Sequence, residues 1–121
     1  MIVVLADDLT GAAEIGGIAF RYGLAAEIQT VFDPAAGADL IAVDTDTRGY
    51  SAGEAAPRVA AVAEQCRRAG VEQVFKKVDS VLRGPVLAEL ATLLETLGRE
   101  RALLAPANPS LGRTIEQGQY R

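Results

Sequence analysis

The 121 residues carry 12 basic and 16 acidic side chains, a formal charge of −4, with 50% apolar and 23% charged residues. This is the balance of one globular domain and not of a basic nucleic-acid binder. One cysteine and no histidine exclude a disulfide framework, a zinc finger, a His-ligated metal and any His base, so chemistry falls to Asp, Glu, Lys, Arg, Ser, Thr, Asn and backbone groups.

No apolar run approaches the roughly 20 residues of a membrane helix, and no basic, apolar and cleavage-site succession marks a secretory leader. A cytoplasmic protein contacting neither membrane nor nucleic acid is expected. Residues 2–6 form a short apolar run, read as a strand buried on both faces. A helix follows, with Thr10 as its expected N-cap, Ala12, Ile15, Ile18, Ala19 and Tyr22 on its packed face, and Gly23 just past its end. Residues 26–32 and 40–43 read as the second and third strands. Ser51 and Glu54 have capping-box spacing, and Ala55, Val59, Val62, Ala63 and Cys66 mark the core face of the next helix, which Gly70 ends.

The fourth strand spans 73–78, with Phe75 expected in the core. Pro85 suits the first position of a third helix striped by Val86, Leu90, Leu93, Leu94 and Leu97, up to Gly98. Residues 102–105 read as a fifth strand, and 107–121 as a loop-like tail too polar to pack alone. Strands alternating with helices predict a Rossmann-like three-layer α/β sandwich with a mainly parallel sheet of about five strands. No repeat, low-complexity segment or linker interrupts it, and the chain reads as cut short.

In such sheets ligands bind beyond the carboxyl ends of the strands. Those ends carry Asp7-Asp8-Leu9-Thr10-Gly11, then residues 44–49, then 76–84, then 106–113. Five of the seven aspartates fall in the first three of these segments. Asp7 and Asp8 serve equally as helix caps, and Asp44-Thr45-Asp46-Thr47 equally as a turn. Lys77, Asp79 and Arg83 form a cation–anion–cation set near a helix start, suited to a carboxylate or phosphate.

Two partial likenesses fail. A receiver domain of two-component signalling has an acidic pair (Asp7, Asp8), a phosphorylated aspartate (Asp44) and a hydroxyl residue (Ser80). It also needs a lysine after the fifth strand, where this chain reads Ala105-Pro106-Ala107, and no lysine follows Lys77. The haloacid dehalogenase-like phosphatases have a motif like Asp44-Thr45-Asp46-Thr47, but on their first strand rather than the third.

Taken together, Leu5-Ala6-Asp7-Asp8-Leu9-Thr10-Gly11-Ala12, Asp44-Thr45-Asp46-Thr47-Arg48, Lys77-Val78-Asp79-Ser80-Val81-Leu82-Arg83-Gly84 and Ala105-Pro106-Ala107-Asn108-Pro109-Ser110-Leu111-Gly112-Arg113 resemble the N-terminal domain of the four-carbon acid sugar kinases. Val81, Pro85 and Asn108 stand where many members carry threonine, asparagine and an aromatic residue. The resemblance implies ATP-dependent phosphorylation of the terminal hydroxyl of a sugar acid such as threonate, erythronate or an oxo-tetronate. It places the sugar acid on this domain, and ATP and Mg²⁺ on a separate C-terminal nucleotide-binding domain. Residues 1–121 are then the N-terminal part of the sugar-acid-binding domain, expected to bind no cofactor or metal and to be inactive alone.

Within that reading Arg48, Lys77 and Arg83 are candidates for the substrate carboxylate, and Asp8, Asp79 and Asn108 for its hydroxyls. Asp8 or Asp79 would act as the catalytic base. Asp7, Thr10, Gly11, Ser80 and Arg113 complete the expected substrate site. Association into a homodimer is left open.

Overall fold

Val3, Leu5, Ile41 and Val43 are at most 1% exposed, because the two apolar runs that contain them lie side by side at the centre of a sheet covered on both faces. The computed structural model describes residues 1–120; Arg121, the last residue of the expected tail, lies outside them. The elements run β1 (Ile2–Ala6), α1 (Leu9–Arg21), β2 (Ala26–Gln29), β3 (Leu40–Asp44), α2 (Ala52–Arg68), β4 (Gln73–Lys77) and α3 (Val86–Leu97). A 3₁₀ turn (Pro109–Leu111) and a small antiparallel hairpin, β5 (Ile115–Glu116) with β6 (Gln119–Tyr120), follow. The tail expected to be loop-like therefore has short structure of its own, though most of it is exposed.

The four main strands are parallel in the order β2-β3-β1-β4. Side-chain alternation sends Val3, Leu5, Ile41 and Val43 to one face, against Val59, Ala63 and Cys66 of α2 and Leu93 of α3. Val4, Ala6, Leu40 and Ala42 face the opposite way, against Ala12 and Ala19 of α1. The result is the expected three-layer α/β sandwich. Burial pushes the Cys66 thiol up to about 11, and as expected this residue belongs to the core.

Helix boundaries follow local chemistry with small shifts. Ser51 caps α2, accepting from the Glu54 N–H, as expected. The cap of α1 is Asp8 rather than Thr10, since the Asp8 carboxylate accepts from Gly11 N at 2.8 Å; Thr10 lies inside the helix and is exposed. Pro85 sits one position earlier than expected, just before the first residue of α3.

Three expectations fail for reasons of coverage. The segment 102–105 forms no ladder with β4, and Leu103 is 92% exposed, so the main sheet has four strands. An apolar run has strand composition, but only backbone pairing makes it a strand. Here the chain leaves Gly98 with Arg99 bonded to the Glu72 carbonyl, and an open cavity of about 530 Å³ separates 99–105 from β4 and α3. Phe75 is 56% exposed and Tyr22 81%. Both lie on the α1 side, where that single helix does not reach across β4. Leu5→Ala is expected to cost about 2–5 kcal/mol and Leu103→Ala close to nothing; urea denaturation of both variants checks this assignment of the core.

Candidate functional site

Neighbouring strands β1 and β3 send their connections to opposite faces, β1 into α1 and β3 into α2. Their carboxyl ends therefore flank a topological switch point, the usual ligand crevice of an open α/β sheet. Register pairs Ala6 with both Asp44 and Lys77. The residues that follow these three strands emerge together.

Arg48 occupies the centre. Its Nε and Nη2 donate to Asp7 Oδ2 and Oδ1, both at 3.1 Å. Its Nη1 lies 2.9 Å from Asp8 Oδ2 and its Nη2 3.4 Å from Asp79 Oδ1. One guanidinium thus bridges three aspartates on two loops, and the bidentate Asp7 contact holds its proton more tightly than usual. Asp7 is 3% exposed, and its carbonyl also accepts from the Thr47 and Arg48 N–H groups.

Asp79 organises the 79–84 loop. Its Oδ2 accepts from Val81 N, Arg83 N and Arg83 Nε, and its Oδ1 from Arg83 Nη2 at 2.8 Å. The Arg83 side chain foremost among these contacts holds the carboxyl well below the usual range. Leu82 adopts φ +61 within this loop. Gly84, at φ +85, closes it against β1: a Cβ there would lie 3.1 Å from Asp7 Oδ2 and 3.3 Å from the Arg48 backbone. Gly11 is similarly confined, since its Cβ would lie 2.9 Å from Asp8 Oδ1 and 3.5 Å from Lys77 Cγ. Asp8 and Lys77 therefore flank Gly11. Lys77 donates to the Val78 carbonyl at 2.7 Å and lies 3.6 Å from Glu14.

The tail approaches the same loop. Arg113 Nη1 donates to Ser80 Oγ, and Tyr120 OH to the Ser80 carbonyl. Asn108 and Arg113 exchange backbone hydrogen bonds, and Asn108 Oδ1 accepts from Ser110. Of the residues expected in the site, Asp7, Asp8, Arg48, Asp79 and Arg83 form one ion-paired cluster. Gly11 and Lys77 border it, and Ser80, Asn108 and Arg113 form a second group joined to it through the 79–84 loop. Thr10 has no part in these contacts.

Residues that the sequence reading passed over are Glu14, Tyr120, Thr47, Lys76 and Glu89. Glu89 is 1% exposed on the packed face of α3. Its signal was position, between Val86 and Leu93 on the apolar stripe.

The family model for a sugar-binding N-terminal domain matches residues 2–120. The chain belongs to that family. The chain is 38% identical to the D-threonate kinase of Bordetella bronchiseptica, over 97% of the chain and 31% of that kinase. It is 33% identical to the 3-oxo-tetronate kinase of Pseudomonas fluorescens (94% and 29%) and 35% identical to the D-erythronate kinase of Heliobacterium modesticaldum (98% and 28%). The chain thus spans about 30% of the length of these curated relatives. A Bordetella bronchiseptica domain of unknown function, solved with bound citrate as a domain-swapped dimer, matches with a TM-score of 0.87 at 37% identity, over 99% of this chain and 32% of its own.

The fold departs from the receiver alternative. Its sheet order sets the first strand between the second and third, whereas this chain has β3 between β2 and β1. Among the described residues no helix is long and apolar enough to cross a membrane.

Arg48→Ala leaves Asp7 and Asp79 buried without their shared cation, at an expected cost of about 3–5 kcal/mol. Arg48→Lys should recover only part of this, because an ammonium cannot form the fork; denaturant midpoints of the two variants decide it. Two aspartates respond to pH with opposite sign. The folded pKa of Asp79 is depressed, so its stabilisation is complete above the ordinary value of 3.8 and is lost as pH falls through the folded value. Asp44 is raised, chiefly by burial, so its ionised form costs stability at neutral pH and the cost vanishes as pH falls through that raised value. Asp44→Asn, which still accepts from Asp46 N, should raise Tm by a few degrees near neutrality. Asp79→Asn should lower it and flatten the acid limb, both read from melts across the acidic and neutral range.

Proposed function

We propose that this domain holds the acceptor of an ATP-dependent kinase that phosphorylates the terminal hydroxyl of a four-carbon sugar acid of the threonate, erythronate or 3-oxo-tetronate type. The observation that carries this reading is the gathering of Asp8, Arg48, Asp79, Arg83 and Lys77 at the switch point, in a chain whose relatives include kinases named for those three acids. The citrate reported with a relative's structure, itself a hydroxylated carboxylate, accords with it.

The ion pairs divide the roles. All three Arg48 nitrogens face aspartates, so Arg48 organises the site and contributes positive potential. The Arg83 side chain is 63% exposed and uses Nε and Nη2 on Asp79, which leaves Nη1 for a substrate carboxylate. Lys77 reaches the same space from the α1 side, and Arg113, Ser80 and Asn108 bound it from the tail. Asp79 is too strongly stabilised as a carboxylate to take a proton readily. Asp8 is more accessible, with a side chain 26% exposed, and is the acceptor of the hydroxyl proton during transfer. Asp7, Thr10 and Gly11 shape the start of α1 around it.

Mg²⁺ does not fit the residues described here. Among them no three carboxylate or thiol groups are set to hold a metal, and Arg48 already occupies the space between Asp7, Asp8 and Asp79. In this reading a C-terminal nucleotide-binding domain supplies the phosphoryl donor, and a cytoplasmic setting supplies its ATP.

Titration calorimetry of the chain with D-threonate and D-erythronate should give binding that Arg83→Ala weakens by about 1.5–3 kcal/mol, the range of a charge-assisted contact; unchanged affinity would remove Arg83 from the site. In the complete kinase, Asp8→Asn should lower kcat by about 10²–10⁴-fold with little change in KM. The 121-residue chain alone should show no ATP-dependent turnover.

A further inference from the structure

We propose that Glu89, on the far face of the sheet from the sugar acid, is a positioning residue that sets the placement of Arg48 and Lys77. This rests on the sugar-acid reading above. Glu89 Oε1 accepts from Thr47 Oγ1, and Oε2 lies 3.2 Å from Lys76 Nζ. Thr47 directly precedes Arg48, and Lys76 directly precedes Lys77. Alternation along β4 turns Lys76 into the α3 side and Lys77 toward α1. The side chains of Lys76 and Glu89 are 5% and 1% exposed, so neither can reach a ligand at the strand ends.

The same network reaches the third strand end. Thr45 Oγ1 lies 3.0 Å from the Ala6 carbonyl and 2.8 Å from Thr47 Oγ1, its single proton facing both. Ala6 directly precedes Asp7. Lys76 Nζ also donates to the Lys77 carbonyl at 3.0 Å. One buried carboxylate thus ties together the residues immediately before Asp7, Arg48 and Lys77, which lie on three different elements.

Stability alone does not account for this arrangement. A buried ion pair gives up much of its attraction to desolvation, and apolar residues of similar volume often serve a fold as well or better. The pair does supply direction. Glu89 has two oxygens at fixed separation, one for β4 and one for the segment after β3, so it fixes the distance between them. Geometry of that kind matters at a site where a shift of ~1 Å can cost about 10²-fold in rate.

The test separates position from folding. In the double variant Lys76→Met/Glu89→Leu the core is apolar and filled, and Tm should stay near or above that of the parent. Affinity for D-threonate should nevertheless fall by about tenfold or more, and the Arg48 Nε–H resonance, held by Asp7 in the parent, should exchange faster with water. Retained affinity together with retained Arg48 protection would overturn the proposal. If the double variant does not fold, Thr47→Val removes only one hydroxyl from the network, and the same two readouts decide. A parent that binds no sugar acid would refute the sugar-acid reading, while the Arg48 exchange rate would still judge the positioning role.

Discussion

One guanidinium holds three aspartates at the open end of this sheet, and much else in the molecule serves that contact. Asp7 is nearly inaccessible, and three carboxylates this close would repel one another without a cation between them. Arg48 offsets part of that repulsion, but only while the segment after β3 and the 79–84 loop both stay in place. Gly84 permits the close approach of that loop, Asp79 stiffens it with backbone and side-chain bonds, and the Asp8 cap fixes where α1 begins. The ion cluster is therefore the meeting point of three local structures.

Counted with Arg83 and Lys77, the three aspartates meet three cations, so the cluster as a whole carries little net charge. A bare group of aspartates would attract metal ions or protons. Here Arg48 lies among the aspartates, Arg83 joins Asp79 at the exposed side, and Lys77 stands beside Glu14. Asp8 is paired on one oxygen with Arg48, caps with the other, and is still partly in contact with solvent.

The sequence revealed the strand ends and their polar contents well, because the spacing Lys77-Asp79-Arg83 and the placement of aspartates after apolar runs follow from how open sheets deliver residues to one edge. It revealed coverage poorly. Strand alternation sets which face Phe75 takes, but no pattern in the strand states whether α1 extends over it. Thr10 and Asp8 are both good capping residues, and the apolar pattern could not choose the earlier one. Glu89 lies on the apolar stripe of α3, but its burial goes with Lys76, thirteen residues earlier and on another element. The segment 102–105 has the composition of a strand and lacks only a partner.

Cys66 lies at the heart of the layer between α2 and the sheet, and it is the chain's single thiol. Burial suppresses its thiolate, the form that reacts with electrophiles and oxidants. In the native state the thiol is also hidden from solvent. Any labelling that occurs reports the fraction of time the layer is open. Under conditions where opening equilibrates faster than labelling, the rate of Cys66 modification becomes a direct measure of that free energy, obtained without denaturant and without a probe added to the fold.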